Sequence, residues 1–217
     1  MELILGIIGF FKAGGYFMYP ILLILAIGTA IIIERIMFLS KAWIDGNVLW
    51  NKIGPDVRAN RFEDAIKECS SSEAALPKVL KAGLDKAMVT KLTKDDREEL
   101  ENHIEEAMLD IMPQLEQRSH YLPTLANIST LLGLLGTIMG LIQSFQSIAV
   151  ADPSQKAVML ARGISVAMNT TAFGLIVAIP IMLCYAYIQS RTIKIVDMLD
   201  AFSIKLVNIL TSGLTSG

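Results

Sequence analysis

Charged residues are scarce in this sequence of 217 residues: only 18% are Asp, Glu, Lys or Arg, while 53% are hydrophobic. Because ordinary soluble domains carry about a quarter charged residues, this composition excludes an average soluble protein. The 19 basic and 21 acidic residues nearly cancel, so no net positive charge indicates nucleic-acid binding. Of these, 13 basic and 17 acidic residues lie between Glu34 and Arg118. We therefore expect one polar domain inserted into an apolar protein.

Cysteine and histidine are also rare, and their placement excludes several kinds of site. Cys69 lies in a charged segment and Cys184 in an apolar one, so we expect free thiols and no disulfide. Neither His103 nor His120 has a second metal ligand at a suitable spacing, and we predict no metal site. The sequence has no glycine-rich phosphate loop followed by Lys-Ser or Lys-Thr. We accordingly predict no catalytic residue and no cofactor, and we do not expect an enzyme.

Three long runs without Asp, Glu, Lys or Arg dominate the chain. They cover 21 residues before Glu34, 33 residues before Asp152 and 28 residues before Arg191. Each run exceeds the roughly 20 residues that a helix needs to cross a bilayer. The sequence therefore predicts an all-α integral membrane protein with three transmembrane helices, at 13–38, 119–150 and 161–190.

The basic residues around these spans are distributed asymmetrically. With three crossings, Lys12, Lys156 and Arg162 lie on one side of the membrane and the other 16 Lys and Arg residues lie on the opposite side. Because basic residues are enriched in cytoplasmic loops, we expect the N-terminus outside and the C-terminus inside. The segments outside the spans are then a short interfacial helix at 1–12, a cytoplasmic helical domain at 39–118, a periplasmic loop at 151–160, and a cytoplasmic C-terminal helix and tail at 191–217.

The polar segment between the first two spans has helical periodicity. Helices are predicted at 61–70 and 76–88, and the sequence Thr93-Lys94-Asp95-Asp96 resembles the capped start of another helix. An apolar stripe then continues toward the second span, which predicts one helix from about Lys94 to Val150.

Two prolines and two apolar stripes complete this prediction. Pro113 and Pro123 should kink the long helix without ending it. The third span carries a similar stripe beyond Arg191, so it too should extend into the cytoplasm. We interpret the stripes as core packing, with a partner-binding groove as the alternative. Their residues are Leu100, Ile104, Met108, Ile111 and Leu115, and then Ile195, Leu199, Phe202 and Leu206.

Hydroxyl side chains occur in the second and third spans beside small residues. Thr130, Thr137 and Ser144 recur at intervals of seven, and Thr170 and Thr171 lie in the third span. Such hydroxyls often bond to the backbone of their own helix or of a neighbour, which is one interpretation. Their occurrence on two spans favours the other, a shared polar lumen. Four glycines should allow close helix packing: Gly133, Gly136, Gly140 and Gly174.

The spans contain no central ionisable residue, although proton relays in membranes normally use one. The chain alone therefore cannot easily shuttle protons. It can instead provide a polar sheath around an ionisable group that another protein contributes.

Six segments follow a shared pattern: Glu34-Arg35, Leu125-Ala126-Asn127-Ile128, Leu132-Gly133-Leu134-Leu135-Gly136-Thr137, Gly163-Ile164-Ser165, Thr170-Thr171-Ala172-Phe173-Gly174-Leu175 and Val177-Ala178-Ile179-Pro180. In these segments the sequence resembles the MotA/TolQ/ExbB proton-channel family, and its ExbB/TolQ branch in particular. The resemblance implies a ring-forming homo-oligomer, a pentamer, in the bacterial inner membrane. It also implies that the ring encloses the single transmembrane helices of an ExbD/TolR-like partner dimer, whose membrane aspartate takes up protons and faces Thr137 and Thr171.

Two positions depart from the family pattern. Val166 stands where many ExbB and TolQ sequences have a glutamate, which leaves no acid for a proton route at this position. Ser129-Thr130 replaces the usual Ala-Pro, which adds a hydroxyl near the expected pore and removes a kink.

The function predicted from the resemblance is that of a proton-conducting stator or channel subunit in an energy-transducing inner-membrane complex. Such a complex couples proton motive force to mechanical work on the cell envelope, in transport, envelope integrity or motility. The lack of an acidic coordination site favours protons over sodium. The alternative is a non-conducting membrane scaffold of the same fold. A small-solute transporter is a third class, but the internal repeats typical of transporters are not visible.

Overall fold

The structure, a computed structural model, describes residues 15–89 and 97–212. Within these two ranges the chain is built from seven α-helices joined by short turns, and no strand occurs there. The predicted interfacial helix at 1–12 and the predicted helix start at Thr93 lie outside the described residues. In chain order the helices are α1 Met18–Ala42, α2 Gly46–Arg58, α3 Phe62–Ser70, α4 Ala75–Val89, α5 Arg97–Glu116, α6 Tyr121–Ala149 and α7 Lys156–Ser212.

Three stretches of helix are long and apolar enough to cross a membrane, and they include α1, α6 and α7. This confirms the prediction of an all-α chain with three long apolar helices. Exposed apolar side chains are frequent on these helices, for example Leu23 on α1, Leu131 on α6 and Ile176 on α7. Such surfaces are stable when lipid or another protein covers them.

The chain divides into two compact units. The apolar unit comprises Met1–Ile33 and Arg118–Tyr187, and the polar unit comprises Glu34–Gln117 and Ile188–Gly217. Both α1 and α7 contribute residues to each unit.

The predicted continuous helix from Lys94 to Val150 is wrong, because α5 ends at Glu116 and α6 begins at Tyr121. Arg118 lies in the turn between them with a φ of 63°, a left-handed conformation that a helix cannot include. Pro123 lies in the first turn of α6, where a missing N–H costs no helical hydrogen bond. Pro113 lies inside α5 without ending it.

The third apolar helix continues far beyond its predicted span. α7 contains 57 residues, which corresponds to a length of about 85 Å. It passes Arg191 without interruption, as the apolar stripe predicted.

The core of the polar unit is formed by the predicted stripes. Leu100, Ile104 and Leu115 of α5 are buried. The stripe residues Ile195, Leu199, Phe202 and Leu206 of α7 are buried as well. A Cβ atom added to Gly83 of α4 would lie 2.9 Å from atoms of both Ile104 and Leu206, so α4, α5 and α7 meet at this glycine. Core packing is therefore confirmed for these residues.

A groove of about 590 Å³ also lies beside this core, between α5 and the end of α7. Its lining includes the apolar side chains of Met108, Leu109 and Ile204 and the acidic side chains of Glu105 and Asp200. The polar unit thus contains both a packed core and an open groove along the same helices.

Candidate functional site

The helices α6 and α7 approach each other closely through small residues. A Cβ atom added to Gly174 would lie 2.7 Å from the carbonyl oxygen of Ser129, and one added to Gly133 would lie 3.2 Å from Cα of Thr171. These neighbours are backbone atoms, which cannot rotate away as a side chain can. The contact therefore has no room for a Cβ atom on Gly174, and a Cβ atom on Gly133 would require the backbone of α7 to shift by a few tenths of an ångström.

Two further glycines of α6 lie along the same contact. A Cβ atom on Gly136 would lie 2.5 Å from Cγ2 of Thr170, and one on Gly140 would lie 3.1 Å from Cβ of Ala167. The small-residue contact thus extends over at least two turns of both helices.

Thr137 and Thr171 lie together at this contact and share a backbone acceptor. Their half-buried hydroxyls are hydrogen-bonded to each other. The hydroxyl of Thr171 donates to the carbonyl of Gly133 at 2.9 Å, and that of Thr137 lies 3.3 Å from the same oxygen. Thr137 also lies 3.4 Å from the carbonyl of Ala167.

The protons of this pair can be arranged in more than one way. Each hydroxyl carries one proton and two lone pairs, so two protons are shared among several acceptors. By rotating, either hydroxyl can donate to a third group or accept from it. The pair could therefore hydrogen-bond to a carboxylate and to a carboxylic acid.

The other predicted pore residues lie elsewhere around the helices. Thr130 is exposed two turns before Thr137 and donates to the carbonyl of Ala126 at 3.1 Å. Thr170 is buried and donates to the carbonyl of Val166 at 3.0 Å. Thr130, Thr137 and Thr170 all follow the common pattern of bonding back to the carbonyl four residues earlier.

Ser144 is buried in the contact between the two helices. Its hydroxyl donates to the carbonyl of Gly140 at 2.9 Å. A Cβ atom added to Gly163 of α7 would collide with the Ser144 side chain. The structure therefore brings Thr137 and Thr171 together, places Ser144 and Thr170 inside the helix contact and leaves Thr130 apart.

No Asp, Glu, Lys or Arg occurs in α6, and none occurs in α7 between Arg162 and Arg191. The hydroxyls of Thr137 and Thr171 bond to each other and to the backbone carbonyls of Gly133 and Ala167. Among the described residues, no group of three or more His, Cys, Asp or Glu side chains could hold a metal ion.

The sequence pattern of the MotA/TolQ/ExbB proton channel family matches residues 71–201, which is more than half of the chain. The chain belongs to the MotA/TolQ/ExbB proton channel family. Together with three helices of membrane-spanning length, this membership identifies a multi-pass membrane protein.

Individual relatives assign the chain to the ExbB/TolQ-like branch of this family. It is 30% identical over 172 residues to biopolymer transport protein ExbB-like 3 of Synechocystis sp., a match that covers 79% of each chain. It is 27% identical over 192 residues to a biopolymer transport protein ExbB homolog of Methanothermobacter thermautotrophicus, covering 88% of this chain and 65% of that protein. It is also 35% identical over 85 residues to the Tol-Pal system protein TolQ of Haemophilus influenzae, covering 39% of this chain and 37% of that one. The chain thus spans less than two thirds of the archaeal relative.

Ser129 lies where the pattern expected of this MotA/TolQ/ExbB family member has alanine, and its hydroxyl does not face an open cavity. It is fully buried, and its hydroxyl donates to the carbonyl of Gly174 at 3.1 Å. Ser129 lies four residues before Gly133 and seven before Gly136, which is the spacing of one helix face. That spacing could have identified it as a contact residue.

At the other departure, Val166 is half-buried at the edge of a cavity of about 310 Å³ between α6 and α7. The polar side chains of this cavity include those of Gln143, Ser147 and Arg162. Where the family resemblance implies an acid, this chain has Val166, and Arg162 lies one turn earlier on the same helix.

Proposed function

We propose that this protein is a proton-conducting stator subunit of an energy-transducing complex in the bacterial inner membrane. The proposal depends above all on the hydroxyl pair of Thr137 and Thr171, fixed at a glycine contact between two spans that carry no acid. In this proposal the pair lines a lumen that Thr130 also reaches, two turns earlier on α6, while Thr170 and Ser144 lie buried in the helix contact beside the pair.

The missing acid indicates what the lumen contains. Ion relays through membranes normally use ionisable side chains, and α6 and the central part of α7 have none. A homo-oligomeric ring, a pentamer by family resemblance, would enclose the single transmembrane helices of an ExbD/TolR-like partner dimer. An aspartate on each partner helix would then supply the titrating group.

The hydroxyl pair suits such an aspartate in both protonation states. It can donate to the carboxylate before proton uptake and accept from the carboxylic acid afterwards. Protonation removes the charge, which lowers the cost of moving the partner helix past the apolar residues between these hydroxyls. Alternating uptake and release would then drive movement of the partner relative to the ring, and this movement would perform work on the cell envelope.

The orientation belongs to the same proposal. The N-terminus would be periplasmic, and the polar unit would lie in the cytoplasm with most of the basic residues. Because the lumen would offer hydroxyls and carbonyls with no carboxylate of its own, we propose protons as the coupling ion.

The test is proton flux in proteoliposomes that contain the protein with its co-purified single-span partner. The double variant Thr137→Val and Thr171→Val keeps the side-chain volume but removes both hydroxyls. Loss of one hydrogen bond to a charged group costs about 1.5–3 kcal/mol, so proton uptake should fall at least about tenfold. The oligomer, measured by native mass spectrometry, should be unchanged.

Thr29→Val provides a matched control. Its hydroxyl also donates to the carbonyl four residues earlier, that of Leu25 at 2.7 Å, but it lies on α1. Proton uptake should remain at the wild-type rate in this variant. Wild-type uptake in the Thr137 and Thr171 double variant would overturn the proposal.

A non-conducting scaffold of the same fold is the second candidate. It is favoured by the carbonyls of Gly133 and Ala167, which already lie within hydrogen-bonding distance of Thr137 and could account for its hydroxyl by packing alone. A scaffold would support its envelope process equally well in cells treated with a proton uncoupler. A proton-conducting stator would no longer support the envelope process in such cells.

A further inference from the structure

A cavity of about 290 Å³ lies in the polar unit beside the last turn of α1. Its lining includes the apolar side chains of Phe38, Ile111 and Leu115, which we call the apolar wall, and the charged side chains of Lys41 and Lys78. The remaining lining residues are Ala42, Glu73, Ala75 and Gln114. The cavity thus combines two cations with an apolar wall.

The two lysines are available to a ligand. Both are exposed, and neither forms an ion pair with a described residue. Glu73 also lines the cavity, so the net charge of its lining is +1. A lysine ammonium group binds phosphate as a compact point charge.

The cavity lies at the end of a membrane-length helix. The preceding residues Ile36 and Met37 are exposed apolar side chains, 37% and 58% accessible. Trp43 follows Lys41 by two residues, and the guanidinium of Arg191 lies 5.8 Å from the centre of its ring. Trp and basic residues concentrate at the level of lipid headgroups. The apolar residues followed by Lys41 and Trp43 therefore indicate that the cavity lies at the headgroup level.

We propose that this cavity binds the phosphate headgroup of an anionic phospholipid between Lys41 and Lys78. The apolar wall at Phe38 receives the glycerol region, and the acyl chains follow the exposed side of α1 at Ile36 and Met37. The same ammonium groups could bind free phosphate, but only a lipid also uses the apolar wall and the exposed apolar residues beside it.

The test is native mass spectrometry of the purified protein in detergent with added phosphatidylglycerol or phosphatidylethanolamine. Each basic residue near an anionic headgroup contributes roughly a fivefold gain in binding. The double variant Lys41→Gln and Lys78→Gln should therefore retain phosphatidylglycerol about 10- to 30-fold less well than wild type. Retention of zwitterionic phosphatidylethanolamine should change little.

A matched control removes two other exposed lysines, by Lys67→Gln and Lys194→Gln. Lys194 lies three residues after Arg191, so this control also loses a positive charge close to the apolar part of α7. It should retain phosphatidylglycerol at the wild-type level. Equal losses in the two double variants, or no loss in either, would overturn the assigned site.

A second measurement separates the two sources of phosphate. Phosphatidylglycerol should raise the melting temperature of the wild-type protein, and millimolar inorganic phosphate should not. An equal rise with inorganic phosphate would show a soluble-anion site and overturn the lipid assignment. Because neither measurement involves ion flux, failure here would leave the proposed proton conduction untouched.

Discussion

The hydroxyl of Ser129 donates a 3.1 Å hydrogen bond to the backbone carbonyl of Gly174, across the contact between α6 and α7. Ser129 is fully buried, so no water competes for this bond. The same contact is so close that Gly174 has no room for a Cβ atom. A polar link and a steric requirement therefore act together to fix the relative position of the two helices that carry Thr137 and Thr171.

Ser129→Ala removes the polar link without adding bulk. We expect it to lower the free energy of unfolding by about 0.5–1.5 kcal/mol, the usual net value of one hydrogen bond. Thermal unfolding in detergent would measure this as a lower melting temperature. In the control Ser147→Ala, the lost hydroxyl donates only to the carbonyl of Gln143 in its own helix, at 2.8 Å, and the decrease should be smaller. Equal decreases would mean that the Ser129 bond adds nothing across the helices.

Gly174→Ala tests the steric requirement. The new Cβ atom would lie 2.7 Å from the carbonyl oxygen of Ser129 and 3.2 Å from Cα of Gly133, so the helices must separate. We expect a loss of about 1–3 kcal/mol, as is typical of overpacking. Denaturant titration monitored by circular dichroism would measure it.

Gly54→Ala in α2 is the control for helix propensity. Its Cβ atom would meet Trp50 at an ordinary 3.5 Å, and alanine is favoured over glycine in a helix by about 0.8–1 kcal/mol. Gly54 precedes Pro55, whose ring disfavours a helical conformation for a preceding residue with a Cβ atom, so this gain should be partly offset. Gly54→Ala should therefore lose less stability than Gly174→Ala. A stable Gly174→Ala variant would show that the two helices can move apart without penalty.

The long apolar helices could be predicted from the sequence because absence of charge over 20 or more residues is a strong and local signal. The core stripes of α5 and α7 were equally local, since they depend only on helical periodicity. The break before α6 was missed because it depends on the left-handed conformation of Arg118, a residue type that carries no such preference.

The orientation of the hydroxyls was harder to predict for a geometrical reason. An interval of seven residues in a straight α-helix leaves a rotation of about 20°, so residues at this spacing drift steadily around the helix. Thr130 is exposed, Thr137 is half-buried and Ser144 is buried, in that order along α6. The close contact at Gly133 and Gly174 determines which of these hydroxyls faces α7. The position of α7 relative to α6 cannot be read from the sequence alone.

Cys69 provides a prediction in the polar unit. Burial, with a contribution from the charge of Glu68, raises the pKa of this thiol from 9.0 to about 11. The folded protein therefore keeps the proton over a pH range in which the unfolded chain loses it. The free energy of unfolding should be unaffected by this group below about pH 9, and it should fall as the pH rises from 9 to 11.

Unfolding measured at intervals from pH 8 to about pH 11 would test this, with Cys69→Ala as the control. Other groups titrate in the same range, so the relevant quantity is the difference between the two proteins. Wild type should lose more stability than Cys69→Ala across the interval. Parallel pH curves would contradict the raised pKa. A charged maleimide should also leave Cys69 unlabelled at pH 7.5 until the protein unfolds, because the thiol is buried as well as protonated.

Val166→Glu introduces the acid that the family resemblance implies at this position, and we expect it to be tolerated. Val166 is half-buried and shares a cavity of about 310 Å³ with Arg162, one turn earlier on α7. An acid at this spacing can pair with the guanidinium, although acid after base is the weaker order in a helix.

We expect a coupling of about 0.3–1 kcal/mol between the two positions, measured from the melting of wild type, both single variants and the double variant Arg162→Gln and Val166→Glu. The coupling should shrink at high salt. If the stability losses of the two single variants simply add up in the double variant at low salt, Arg162 does not reach the new carboxylate. This chain then cannot accommodate the acid by pairing it with Arg162.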